Sequence, residues 1–291
     1  MSYFAAFVFS SAKIYYSYAV LLAILTLFEV LFGRQRILVA GRMPGLMIWL
    51  AYIPASVLIY QGLYALWSLL GVEPLLTLSL IQSLGWAGPL AAITAAVAGL
   101  FIADFLTYWY HRAQHRFLWR FHAVHHSIRD MNAVNSYHHI SESLVAGLLI
   151  ALPTTLIVVD YGPTIPILVF LVSLQATYLH SPTRLALGPL RVILADNIFH
   201  RIHHSVEPAH FDHNFGVMTT LWDRMFGTAY FPKADEWPDV GLASIDQPSD
   251  LAEWLTLPVR YADNAETSSR AGTASRVAVV SSSAASTRPI P

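Results

Sequence analysis

The sequence predicts an all-α fold: an integral-membrane helical bundle carrying a helical cap on its cytoplasmic side. Three observations predict it. The 291-residue chain is 55% hydrophobic and only 12% charged, with a mean hydropathy of +0.50, too little polar surface to cover a soluble globule of that size. Apolar runs long enough to span about 30 Å of hydrocarbon recur along its N-terminal third. All thirteen histidines lie between His111 and His213, beyond the third of these runs.

Taken in order, Ile14 to Phe32, Leu46 to Leu70 and Pro89 to Tyr110 read as three transmembrane helices. Pro74 to Trp86 is apolar but too short to cross, and reads as an interfacial or re-entrant stretch. Leu144 to Leu179 is broken by Asp160, Tyr161, Gly162, Pro163 and Pro166, and so predicts two shorter helices forming a membrane hairpin. No cleavable signal peptide is expected, since no short apolar region with a small-residue cleavage site follows Lys13. From about Asp263 the chain turns to Ser, Thr, Ala and Gly, the composition of a disordered tail. The expected divisions are residues 1–103, the transmembrane helices including most of the third; 104–232, the histidine-rich domain with its hairpin; 233–262, a C-terminal interfacial segment; and the tail, 263–291.

Positive charge sets the orientation. Arg34, Arg36 and Arg42 fall between the first two spans, Lys and Arg are then absent until Arg112, and further arginines surround the histidines. The histidine clusters and the tail are therefore expected on the cytoplasmic face of a multi-pass protein, with the N-terminus opposite. A net charge of -1 argues against nucleic acid as a partner. The absence of Cys removes disulfides, thiolate-ligated haem and iron–sulfur clusters.

Eight of the histidines form three clusters: His111 with His115; His122 with His125 and His126; and His200 with His203 and His204. Helical positions i, i+3 and i+4 share a face, so each cluster aims its imidazoles at one place. Neutral imidazole is the commonest metal ligand, and eight exceed what one tetrahedral ion can use. A structural zinc needs only four ligands and usually recruits Cys. Two metals are implied, in a cap just above the membrane surface. Asp104 and Tyr108 continue the stripe of His111 and His115 back into the third span. An ionisable group at that depth is expensive, which makes Asp104 a candidate acceptor for an imidazole N–H or a substrate-pocket residue, against the alternative of a packing bond to a neighbouring helix.

The run Asp104-Phe-Leu-Thr-Tyr108-Trp-Tyr-His111-Arg-Ala-Gln-His115, followed by Leu118 to Ser127, resembles the fatty acid hydroxylase and sterol desaturase superfamily of integral-membrane di-iron enzymes. So do Phe199 to Ser205, Asp212 to Gly216 and Trp222 to Thr228. The resemblance covers roughly Asp104 to Tyr230. It implies two iron ions held by the eight clustered histidines, with further histidines completing the set. His139-Ile-Ser-Glu142 is similar to the family's His-Pro-x-Glu element with Ile140 in place of Pro, which implies His139 as a ligand, with His138 beside it as the competitor. His180 resembles the family's histidine at the cytoplasmic end of the hairpin. Ligand type alone does not select iron; that choice rests on the resemblance. Glu142, Asp212, Asn214 and Asp223 are candidates for orienting the imidazoles, each with a cheaper role as a helix cap or loop contact.

The resemblance further implies a monooxygenase that hydroxylates a C–H bond of a fatty acyl or sterol-like lipid with O2, or a desaturase working from the same site. Electrons come from elsewhere, since the chain shows no glycine-rich dinucleotide fingerprint and no His-Pro-Gly-Gly haem-binding segment. An external donor such as cytochrome b5 or a ferredoxin with its reductase is implied. A metal-ion transporter is the reading from another class, and it would place its histidines inside the spans rather than at one face.

Overall fold

The computed structural model describes residues 3–36, 38–78, 88–159, 165–233 and 235–261. The tail expected over 263–291, most of the stretch Pro74 to Trp86 and the turn of the hairpin lie outside the described residues. Two long helices, α1 (Tyr3–Phe32) and α2 (Val39–Leu69), pack on one another, and a third, α3 (Gly88–Phe117), carries the first histidine cluster on its last turns. Among the described residues α1 and α2 are long and apolar enough to cross a membrane. All three helices outrun the apolar runs that announced them. Backbone hydrogen bonding continues past the apolar stretch wherever nothing breaks it, as α3 does through the polar turn His111 to Phe117.

The stretch expected as a hairpin contains α4 (Ile140–Ala146), a π turn (Gly147–Ala151) and a last turn (Leu152–Thr154) as its first limb, and α5 (Ile165–Tyr178) beyond the residues not described. Gly147 lets this first limb lie against α2, since a Cβ there would meet Leu63 Cδ1 at 2.5 Å. One feature departs from the all-α expectation: Leu76–Leu78 (β1) pairs in parallel with Ile157–Val159 (β2), Leu76 opposite Ile157. Backbone leaving α2 and the hairpin needs partners for its polar groups, and these two short strands satisfy each other. The fold is otherwise mostly helical.

Three short helices carry or adjoin the remaining histidine clusters: α6 (Trp119–His126), α7 (Asn197–His203) and α8 (Leu221–Phe226). Residues 251–261 form a final helix, α9. The expected interfacial segment thus folds over the histidine helix, where Trp254 and Leu257 join Val124, Ile128, Met131 and Tyr137 in one buried cluster. The two long helices are tied by polar bonds to the segment that follows α6. Buried Glu29 of α1 pairs with Arg42 of α2 and accepts the amide of Ala133 at 2.7 Å. Asn135 bonds the carbonyl of Gly41 at 2.7 Å and the amide of Gly45 at 3.1 Å. A Cβ on Gly45 would meet Val134 O at 2.5 Å, so glycine is what permits that approach.

Candidate metal centre

Nine of the ten histidines expected as ligands converge, and they do so as two sets. His111, His115, His122, His126 and His203 form one, and His125, His180, His200 and His204 the other, with the donor nitrogens of each set lying within 4.8 Å of one another. The helical spacing explains the sorting. On α6, His122 and His126 are one turn apart and face the first set, while His125 is rotated towards the second; on α7, His203 faces the first set while His200, with the capping His204, faces the second.

The outward nitrogens fix the tautomer of four of the rings. His111 Nδ1 donates to the carbonyl of Phe215 at 2.8 Å, His125 Nδ1 to Tyr137 at 2.9 Å, His180 Nδ1 to Ala176 at 3.0 Å and His203 Nδ1 to His213 at 2.7 Å. A carbonyl only accepts, so each of these Nδ1 atoms holds the ring's proton and each Nε2 presents a bare lone pair inward. His125 Nε2 and His180 Nε2 then stand 3.2 Å apart, two acceptors facing each other with no proton between them. His203 Nε2 is buried without any hydrogen-bond partner. Acceptors gathered against acceptors repel unless a cation lies among them, and the donors are all imidazole nitrogens. The residues therefore fit metal ions, one per set.

Burial keeps the rings neutral. His122, His125, His126, His200, His203 and His204 are all held well below the usual imidazole range, first by desolvation and then by the charge each would impose on the others. His180 is pushed down to about 4 by the same burial. Neutral imidazole is the form that ligates.

His139 is not brought to either set. It caps the N-terminus of α4, its Nδ1 accepting the amide of Ser141 at 3.3 Å, and its ring lies 5.8 Å from that of Trp254. His138 is the neighbour that faces the centre: it stacks on His125 with ring centroids 3.9 Å apart, and groups with His122 and Glu142. In extended backbone, adjacent side chains point to opposite sides, so only one of the pair can face inward.

The remaining expected residues are structural neighbours of the rings. Glu142 is buried, accepts from Gln114 and lies 3.4 Å from His122 Nδ1; desolvation pushes its carboxyl up to about 8. Asp212, exposed and in left-handed backbone at φ 57°, stands 3.5 Å from His115 Nδ1. Asn214, also left-handed, is fully buried and bonds the carbonyls of Phe199 and Tyr230 and the amide of Tyr230, holding α7 against the following loop. Asp223 accepts from the amides of Phe215 at 2.9 Å and Gly216 at 2.7 Å and from Thr228 Oγ1 at 2.6 Å, and burial pushes its carboxyl up to about 6. Asp104 takes the packing role. It accepts from the amides of Met218 and Thr219, from Thr219 Oγ1 at 2.6 Å and from Trp222 Nε1 at 3.0 Å, with no bond to an imidazole. Tyr108 is wholly buried, bonds Thr228 Oγ1 at 2.9 Å and stacks on Phe226.

Among the described residues, cavities open onto the centre from more than one side. A cavity of about 330 Å³, walled by Tyr18, Trp49, Tyr60 and Tyr110 from the long helices, ends on His111, His122, His125, His180 and His200. A second, of about 440 Å³, reaches His115, His126 and His203 from the other side, past Trp119 and Tyr261, whose side chains bond to each other at 2.7 Å. Sequence reasoning missed Gln114, Tyr261 and the orienting carbonyls. Gln114 lay within the motif as an unremarked residue, and carbonyls have no sequence signature.

Fold and site together define a mostly helical protein built around an all-histidine donor centre. Residues 96–228 match the family model described as fatty acid hydroxylase. The chain is 32% identical over 152 residues to an ornithine lipid hydroxylase of Rhizobium tropici, covering 50% of this chain and 45% of that protein. It is 32% identical over 136 residues to an alkylglycerol monooxygenase of Danio rerio (44% of this chain, 29% of the relative), and 28% identical over 143 residues to a putative Delta(7)-sterol-C5(6)-desaturase 2 of Arabidopsis thaliana (47% and 48%). The matches thus span less than half the length of each of these relatives. No solved structure matches. Over residues 96–228 the chain is thus similar to the fatty acid hydroxylase family, and the relatives matched are a lipid hydroxylase, a monooxygenase and a sterol desaturase by name.

Proposed function

We propose that the protein is a multi-pass membrane enzyme that hydroxylates a C–H bond of a fatty acyl or sterol-like lipid, using O2, two iron ions and electrons from an external donor. The observation that carries this reading is the convergence of nine histidines into two sets at the end of a cavity walled by apolar helices. The ten expected ligands reduce to those nine, with His138 in the place expected of His139 beside the centre.

Bound iron would supply the change of oxidation state that reduction of O2 and attack on an unactivated C–H bond require. The chain supplies the rest. The first set would hold one ion and the second the other, with His111, His125, His180 and His203 each fixed by a carbonyl at Nδ1. The aromatic walls of the inner cavity suit an alkyl or sterol body, exclude water and leave the histidines at its end. Gln114 donates to Glu142 and orients it beside His122. The second opening, on the side away from the long helices, suits approach of cytochrome b5, a ferredoxin or a comparable donor to the cytoplasmic face. A helical cap on that face of an integral bundle is the arrangement this reading requires. Desaturation is the second reading, favoured by the sterol desaturase relatives.

The test is turnover of purified, iron-loaded protein on fatty acyl, ether-lipid, ornithine-lipid and sterol substrates with a chemical or protein reductant under labelled O2. Hydroxylation gives a product heavier by one labelled oxygen atom. A product lighter by two hydrogens favours desaturation, and metal transport without lipid turnover would sink both.

A further inference from the structure

A cavity of about 970 Å³ lies at the end of α1, away from the metal centre, walled by Arg34, Arg36, Arg42, Arg184 and Glu29 together with apolar side chains. Among the described residues Glu29 is its one carboxylate, and it is already paired with Arg42. Arg36 and Arg184 are exposed and have no ion pair among the described residues. Arg34 lays its guanidinium 4.9 Å from the ring of Trp237, and its Nε is buried without a partner. Among the described residues these three guanidinium groups thus have no ion pair. Beside them stand Leu31, Leu38 and Leu185, exposed by 62%, 75% and 46%.

Surplus guanidinium groups beside exposed apolar side chains match a ligand that is anionic at one end and hydrocarbon at the other. Guanidinium bonds phosphate in bidentate fashion, and basic pockets between helices at the cytoplasmic surface are suited to phospholipid headgroups. We propose that this cavity binds the phosphate of an anionic phospholipid, with Arg36 and Arg184 as its principal contacts and the acyl chains along Leu31, Leu38 and Leu185. The proposal rests on the membrane placement above but not on the oxygenase chemistry.

The site has a mechanical consequence. Arg34 N–H donates to Pro182 O at 2.7 Å and Arg184 N–H to Phe32 O at 2.9 Å, so the turn after α1 is zipped to the segment that follows His180. A phosphate held by Arg36 and Arg184 would clamp the two sides of that zipper and steady His180, which belongs to the second histidine set.

The experiment compares the full chain with Arg36→Gln, Arg184→Gln and the double variant in neutral detergent, adding phosphatidylglycerol, phosphatidylcholine or inorganic phosphate. Thermal unfolding and lipid retention by native mass spectrometry are the readouts. Phosphatidylglycerol should raise the unfolding temperature of the wild type and remain bound, phosphatidylcholine should do neither, and the double variant should lose both effects while unfolding like the wild type in lipid-free detergent. Each single variant should fall between. An undiminished response in the double variant would overturn the proposal, as would an equal response to phosphatidylcholine or to inorganic phosphate alone. Unfolding of the double variant in lipid-free detergent well below the wild type would turn the decision over to the single variants, where undiminished retention overturns it. Failure of the oxygenase reading would leave these readouts unmoved.

Discussion

Replacing Asp223 tests whether a carboxylate that touches no imidazole nevertheless sets the geometry of the centre. Its oxygens accept two backbone amides, Phe215 and Gly216, and the Thr228 hydroxyl; Phe215 in turn offers the carbonyl that fixes His111. In Asp223→Ala the Thr228 hydroxyl keeps Tyr108 as a partner, but the two amides lose theirs in a region with no exposure at Asp223. At about 1–3 kcal/mol for each buried donor left unsatisfied, the cost is roughly 2–6 kcal/mol. Asp223→Asn keeps one acceptor oxygen and turns an NH2 towards the other amide, so about half that cost is expected.

The loss should appear in two measurements. Thermal unfolding of Asp223→Ala in detergent should fall by on the order of 10 °C, with Asp223→Asn between it and wild type. Metal affinity, read by elemental analysis after dialysis against graded chelator, should drop by about 10–100-fold, the usual effect of removing a group that orients a ligand. An Asp223→Ala protein that unfolds at the wild-type temperature and keeps its full metal content would refute the reasoning, because the chain from carboxylate to Phe215 to His111 would then carry no strain.

Wild type loaded with iron should hold about two metal equivalents, as two sets of imidazoles imply. His203→Ala and His200→Ala should each lower that number, by disturbing different sets; one tightly held zinc unaffected by either would defeat the two-ion reading. His139→Ala should leave metal content near wild type and cost about 0.5–2 kcal/mol as a lost helix cap, visible as a modest fall in unfolding temperature, whereas loss of metal would restore His139 as a ligand. Trp254→Ala should destabilise by about 3–5 kcal/mol through the core of α9 and the histidine helix, measured by denaturant unfolding. In this Cys-free chain, cysteines introduced near Phe4 and near Ser127 should label from opposite sides of the membrane; labelling from the same side would contradict the topology.

Much of the centre was legible in the sequence because helical periodicity carries three-dimensional information. Spacing gathers the histidines but aims each cluster at one place, whereas α6 delivers His122 and His126 to one set and His125 to the other, and α7 parts His203 from His200 and His204. His180 was legible only through its resemblance to the family's histidine at the end of the hairpin. What could not be read depends on contacts between segments far apart in the chain. Asp104 looked like a partner for the histidines because it shares their stripe on α3. Its partners instead come from residues 218 to 222, and no local pattern could forecast that they would arrive there.

His138 and His139 show the limit most sharply. Spacing to Glu142 favoured His139, because the motif is counted along the chain. Which histidine faces the centre is decided by the phase of an extended segment, and that phase is fixed at both ends by tertiary bonds: Tyr137 offers its carbonyl to His125, and Trp254 from α9 takes the carbonyl of His138 at 3.0 Å. With its two flanking carbonyls pinned in this way, His138 is left lying flat on His125 and His139 turns to cap α4. A one-residue change of phase would exchange the two, so the segment is a place where a helix more than a hundred residues distant chooses which side chain meets the metal centre.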